Sequence, residues 1–265
     1  MNTLSSTLAL AILCLCTSIH CQAPLNDIVA RRILKERPVL QPAPVREADI
    51  FWEKRISREI DVKQKQNLTF MYPTAPFFNI LKQGAEMGQI KLYSTPDFQT
   101  ELSSLDGVFY ETDTIILYTD DYTENIQVVQ NDIDYEDISK FRLNEIWYFD
   151  EVSSTMKVQI LGIAAIKSRT NDLGEALYDQ PLFWVHFPSA RAYLATQPTA
   201  SDYNYAAANS WDDLFQMRQF ASHITKQSNI RDNRLQDIYS GVQLLEESEK
   251  IKQELQNFEH DMWSY

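Results

Sequence analysis

Glycine is scarce in this chain of 265 residues. It has only Gly84, Gly88, Gly107, Gly162, Gly174 and Gly241, where average usage gives about 18. No two have G-x-G spacing and no G-x-x-x-x-G-K stretch is present, which excludes the loops that cradle nucleotide phosphates with backbone amides. Cysteine is confined to Cys14, Cys16 and Cys21, and no Lys, Arg, Asp or Glu precedes Asp27. Cations are outnumbered, 24 Lys and Arg against 37 Asp and Glu, for a net charge of −13 and a pI near 4.7. Such a chain lacks the basic footprint that nucleic acid requires.

What the first residues do contain is an almost unbroken apolar run at 8–19. It is shorter than the about 20 residues that span a bilayer, and polar residues follow it instead of a positively charged stop, so it reads as a cleaved export signal over 1–21. Cleavage after Cys21 leaves Gln22 first; cleavage after Ala23 is the alternative, although Pro24 follows it. His20 before Cys21 does not fit a lipoprotein signal, so an exported protein without its own lipid anchor is expected. The mature chain then holds no cysteine and no disulfide. A body of about 240 residues needs none, since it buries roughly 70 to 75 % of its unfolded surface.

Charge is unevenly placed. Residues 97–151 carry fifteen Asp and Glu against Lys140 and Arg142 alone, whereas 31–65 is net basic. Residues 27–37 read as a short charged helix and 38–44 (PVLQPAP) as an extended linker, giving an N-terminal arm over 22–46 and one folded body over 47–265. In 51–62, Trp52, Ile56 and Ile60 fit a helical stripe, yet polar Glu53, Arg55, Ser57, Glu59 and Asp61 alternate as in a half-buried strand, which is the preferred reading. Pro76 in a first turn, then Phe77, Phe78, Ile80, Leu81 and Ala85, then Gly88, predict a helix. Strands are predicted at 90–93, 108–118, 126–130, 141–149, 156–167 and 181–187, with a turn at 150–155. Met156, Val158, Ile160, Gly162, Ala164 and Ile166 are expected on one face of a central strand covered on both sides. From Trp211 the period becomes helical, first through Leu214, Met217, Phe220 and Ile224, then over 234–263, where Leu244, Ser248, Ile251, Leu255, Phe258 and Met262 form a short seam. That seam packs on the protein's own sheet in preference to another chain. The fold class is α+β, a central mostly antiparallel sheet with a C-terminal helical segment (about 210–265) packed on it.

Catalytic and metal signatures are weak. His186, His223 and His260 are far apart and match no zinc spacing. His186 alternates within an aromatic strand, and Glu259, His260 and Asp261 point in different directions on a helix. Residues 132–137 (DIDYED) begin like a calcium loop, but the sixth place is Asp137 and the twelfth is Leu143, where glycine and glutamate are needed. No serine lies in a G-x-S-x-G elbow. No cofactor, metal or catalytic residue is expected. Asn67-Leu68-Thr69 matches the N-glycosylation acceptor, and Asp113-Thr114-Ile115 resembles a short glycosylation site of some exported bacterial proteins.

Six stretches in order, WEKRISREID at 52–61, IWYFD at 146–150, LFWVHFP at 182–188, WDDLF at 211–215, EESEKIK at 246–252 and NFEHDMW at 257–263, together resemble the gliding-motility protein N family (GldN, PorN) of the Bacteroidetes type IX secretion system. The resemblance runs from about Ile50 to Tyr265, with Ser57 standing where the family has an aromatic residue. It implies a non-enzymatic periplasmic protein, held at the inner face of the outer membrane in a ring with a GldK/PorK-type lipoprotein. It also implies contact with the GldM/PorM-type inner-membrane motor, with no membrane span of its own.

Two readings follow. The first is a structural subunit whose contacts are anchored around Trp211, Asp212, Asp213, Phe215 and Arg218, since Trp and Arg dominate interface energetics. Trp211 and Phe215 fit the core face of their helix equally well. The second is an exported hydrolase, or a cation- or glycan-binding module, that uses the acidic 120–137 region.

Overall fold

The computed structural model describes residues 33–105, 107–120, 123–170, 176–200 and 209–262; the expected signal segment and the first part of the arm, 22–32, lie outside them. Leu34–Tyr265 form one compact unit. The elements in chain order are α1 (Ile33–Glu36), β1 (Ile50–Asp61), α2 (Phe77–Glu86), β2 (Leu92–Tyr93), β3 (Tyr110–Asp120), β4 (Thr123–Asp132), β5 (Ile138–Asp150), β6 (Thr155–Thr170), β7 (Ala176–His186), α3 (Phe187–Leu194), α4 (Trp211–Gln216), β8 (His223–Gln227) and α5 (Val242–Met262). Six strands pair antiparallel in the order β2-β7-β6-β5-β1-β8, and β3 and β4 make a separate two-stranded hairpin. With α5 packed against its edge strand β8, the architecture is α+β, as the sequence pattern predicts.

Directly opposed residues in antiparallel strands share a face. The row Ile60, Phe141, Ala165, Phe183 and the row Arg58, Leu143, Ile163, Val185 therefore point the same way. Every apolar member of these rows lies in one core with Phe77, Phe78 and Leu81 of α2, Phe187 and Leu194 of α3, and Trp211 and Phe215 of α4. Fully burying a side chain of this size contributes about 1.5–3 kcal/mol, so these layers dominate stability. A second cluster on the same face joins Ile56 and Ile224 to Ile251 and Leu255 of α5, with Trp52 stacked on Phe258 at 4.8 Å.

The residues of α2 form a helix because Pro76 presets the entering backbone at the N-cap, Phe77, Phe78, Ile80 and Leu81 bury one face, and Gly88 at φ +69° stops it. The strand expected at 90–93 shortens to Leu92–Tyr93, because only these residues pair with β7. In β6 the expected single face does not hold. A bulge between the Asn144–Gly162 and Glu145–Ile160 pairs puts Ile160, Ile163 and Ala165 together in the core. Gly162 sits on the opposite face under Phe98, where a Cβ would lie 2.6 Å from the ring.

The helix expected through Ile224 ends at Gln216. The Ser210–Asp213 capping box starts α4, the backbone reverses at Arg218 with φ +54°, and 223–227 becomes an edge strand on β1. The later helix begins at Val242 instead of 234, after a 3-10 turn at Leu235–Asp237 and Gly241 at φ +59°. Its seam lies on the protein's own sheet: Ser248 Oγ accepts a hydrogen bond from the Ile224 amide at 2.8 Å. This covers an edge strand that would otherwise offer unpaired backbone. Among the described residues no helix is long and apolar enough to cross a membrane.

Candidate interaction surface

The sequence-predicted anchors divide between core and surface. Trp211 and Phe215 are 0 % exposed, so they present no surface and belong to the core face of α4, which corrects their assignment as exposed contacts. Trp211 packs on Phe77 at 4.4 Å and Phe70 at 5.1 Å between ring centroids. Asp212 is also buried and takes both prongs of the Arg191 guanidinium, at 2.8 and 3.0 Å. Asp213 closes the capping box with Ser210 and holds Arg37 in an ion pair. Burial raises the Asp213 pKa, but hydrogen bonds from Ser210 and Arg37 outweigh it and hold the carboxyl below its ordinary value. The described part of the N-terminal arm is thereby tied to α4 at Arg37.

Arg218, also part-exposed, lies in a second built environment. Its guanidinium lies 5.6 Å from the Trp147 ring centroid and 5.5 Å from that of Phe220, and its Nη2 is 2.9 Å from Glu145 Oε1. The same carboxylate, with no exposed side-chain surface, accepts from Arg58 Nε and from Trp147 Nε1, each at 3.0 Å. Arg58, Glu145 and Arg218 lie between the two apolar clusters. Above them opens a cleft of about 300 Å³, lined by Arg58, Gln66, Arg218, Phe220, Ser222 and Lys252 among others. Sequence reasoning missed Arg58 and Glu145. The available signal was Arg58 standing in the inward row of Ile56 and Ile60.

The opposite face of the sheet carries a second charged row. Arg142 donates to Glu59 Oε1 from Nε at 3.0 Å and Nη2 at 2.6 Å; Lys140 donates to Asp179 at 2.7 Å, as does Ser168. Burial opposes charge on both Lys140 and Asp179, yet their mutual bond prevails, raising the lysine pKa and lowering the aspartate. His223 Nε2 stands 3.9 Å from Glu59 Oε2, and burial lowers its pKa. His186 shares a 2.7 Å hydrogen bond with Ser189 and meets Phe98 edge-on, while His260 is exposed on α5. The structure does not bring these histidines into one site.

Among the described residues, the acidic groups of the second reading are not drawn together. The side chains of 120–130 lie outside the described ones. Beyond them, Asp132 faces Lys82 at 3.7 Å, Asp134 Oδ1 accepts from the Tyr135 amide, and Asp137 faces Lys167 at 3.2 Å. Among the described residues no group of three or more His, Cys, Asp and Glu is arranged to hold a metal ion. Asn67 is 0 % exposed, and its amide donates to Asp61 and Ala221 carbonyls and accepts from the Ala221 amide, so the residue of the acceptor-motif match is engaged inside the fold. Asp113, Thr114 and Ile115 lie in β3, with side chains outside those described.

A search of curated proteins finds no match. Residues 45–264 match the family described as gliding motility associated protein GldN, from just before β1 to the end of α5. With most of its length accounted for in this way, the chain belongs to the GldN family of gliding-motility and type IX secretion proteins.

Proposed function

We propose that this protein is a non-enzymatic, exported subunit of the type IX secretion and gliding apparatus. It resides in the periplasm at the inner face of the outer membrane, forms a ring with a GldK/PorK-type lipoprotein and touches a GldM/PorM-type inner-membrane motor. The observation that carries this reading is the family match over residues 45–264. The apolar run at 8–19 supports export, and borrowing an anchor from a lipoprotein fits a chain whose leader suits a soluble protein.

The reading is tested genetically. Deleting the gene abolishes gliding and secretion through the apparatus, and a copy whose leader is exchanged for another cleavable export signal restores both. A copy with no leader that restores both equally well would overturn the periplasmic assignment.

A further inference from the structure

The Arg58–Glu145–Arg218 cluster carries more positive charge than its geometry neutralises. Two guanidiniums meet one buried carboxylate, Arg58 from below at 3.0 Å and Arg218 from the rim at 2.9 Å, with side-chain exposures of 8 % and 30 %. Lys252 at the cleft wall is already balanced by Glu249 at 3.2 Å on its own helix, so the local surplus is a single positive charge. Among the described residues Arg58 Nη1 has a single, long contact, to Ser222 Oγ at 3.4 Å, while the Phe220 ring lines the cleft beside the Arg218 guanidinium. Burial lowers the Arg58 pKa and Arg218 repels it; Glu145 and, more weakly, Glu249 oppose both without cancelling them, so an additional anion would relieve a cost that the fold leaves standing.

We propose that this cleft is a docking site for an acidic segment of a protein partner, which inserts an Asp or Glu carboxylate between Arg58 and Arg218. One surplus charge matches a monoanion; a phosphate dianion would overcompensate it. The Phe220 ring accepts the methylenes of the entering side chain, and planar guanidiniums match a carboxylate in pairs. Net charge of −13 does not prevent this approach, because charges beyond about 10 Å are screened at 0.1 M salt. The proposal rests on the assembly reading for its biological partner, but its test uses the purified chain alone.

The probe is a fluorescein-labelled octaglutamate peptide, followed by anisotropy at 0.1 M salt. The wild-type protein binds it and ignores an octaglutamine control. Arg218→Gln, which removes a charge facing the carboxylate, and, independently, Lys252→Glu, which leaves Glu249 unpaired at the cleft wall and reverses the local surplus, weaken binding by about tenfold or more. Arg55→Gln, on an exposed arginine elsewhere on β1, leaves it unchanged. Lys252 is 46 % exposed, so its variant keeps the fold even if Arg218→Gln does not. Equal affinity of wild type and Lys252→Glu, equal binding of octaglutamine, no binding by wild type, or displacement of the peptide by inorganic phosphate at a lower concentration than by acetate would each overturn the proposal. Failure here with intact assembly in cells would remove the docking site and leave the subunit reading in place.

Discussion

Arg58 and Glu145 meet diagonally across the β1–β5 pair at 3.0 Å, with the carboxylate wholly sealed from solvent. Charge placed this deep between two apolar clusters makes the partners interdependent. Glu145→Ala leaves two arginines without their shared anion and is expected to cost about 3–5 kcal/mol, read from denaturant unfolding. Replacing both partners with apolar residues, Arg58→Met with Glu145→Leu, is expected to recover part of that loss, since Arg218 and Trp147 Nε1 still lose the shared carboxylate. A double variant as unstable as Glu145→Ala would contradict the pairing.

Trp211 supplies a separate expectation. Its indole ring fills the centre of the α2–α4 aromatic cluster, and its Nε1 has no hydrogen-bond partner among the described residues. Trp211→Ala should cost about 3–5 kcal/mol and lower the melting temperature sharply. Trp211→Phe should cost clearly less, because the lost nitrogen makes no bond. A fully stable Trp211→Ala protein that lost only its partners would restore the surface reading.

At Asn67 a buried amide bridges the strand end at Asp61 and the segment at Ala221 through three hydrogen bonds, of 2.7, 2.9 and 2.9 Å. Asn67→Ala strands these backbone groups and should destabilise the protein by about 2 kcal/mol. Intact-mass measurement of the folded protein after expression in a glycosylating host should show no glycan at this position.

Acidification should weaken the fold through His223. Burial lowers its folded pKa below 6.5, against the pull of Glu59, so the unfolded chain binds that proton more readily. The stabilisation is complete above the unfolded pKa and declines as pH falls through 6.5 towards the lower folded value. His186 shifts in the same direction through burial. The melting temperature should therefore fall between about pH 7.5 and 5.5, and His223→Gln should make that fall shallower. An unchanged slope would mean that His223 is not the responsible group.

Much of this architecture was legible in the chain because alternation and helical period are consequences of burial. β1 announced itself by alternating polar residues, α2 by its Pro76 and Gly88 stops, and α5 by a seam whose Ile251 and Leu255 do bury. Two features escaped for a shared reason. Leu214, Met217, Phe220 and Ile224 are spaced as a helix would space them, but the turn at Arg218 depends on a positive φ that no glycine or proline marks. Ile160 and Ile163 share a face only because of a bulge, a backbone event without a side-chain signature. Of the five sequence-predicted anchors, Arg218 alone reached the cleft. Spacing identifies faces, whereas the Arg58–Glu145 pairing is 87 residues apart in sequence and appears only once β1 and β5 are in register.

The most direct measurement is affinity purification of the native protein from solubilised cell envelopes, followed by mass spectrometry of what comes with it. A ring subunit should bring down an outer-membrane lipoprotein in comparable amount, together with the inner-membrane motor protein. Recovery of the protein alone, from envelopes in which the lipoprotein and the motor are present and intact, would contradict its place in the apparatus.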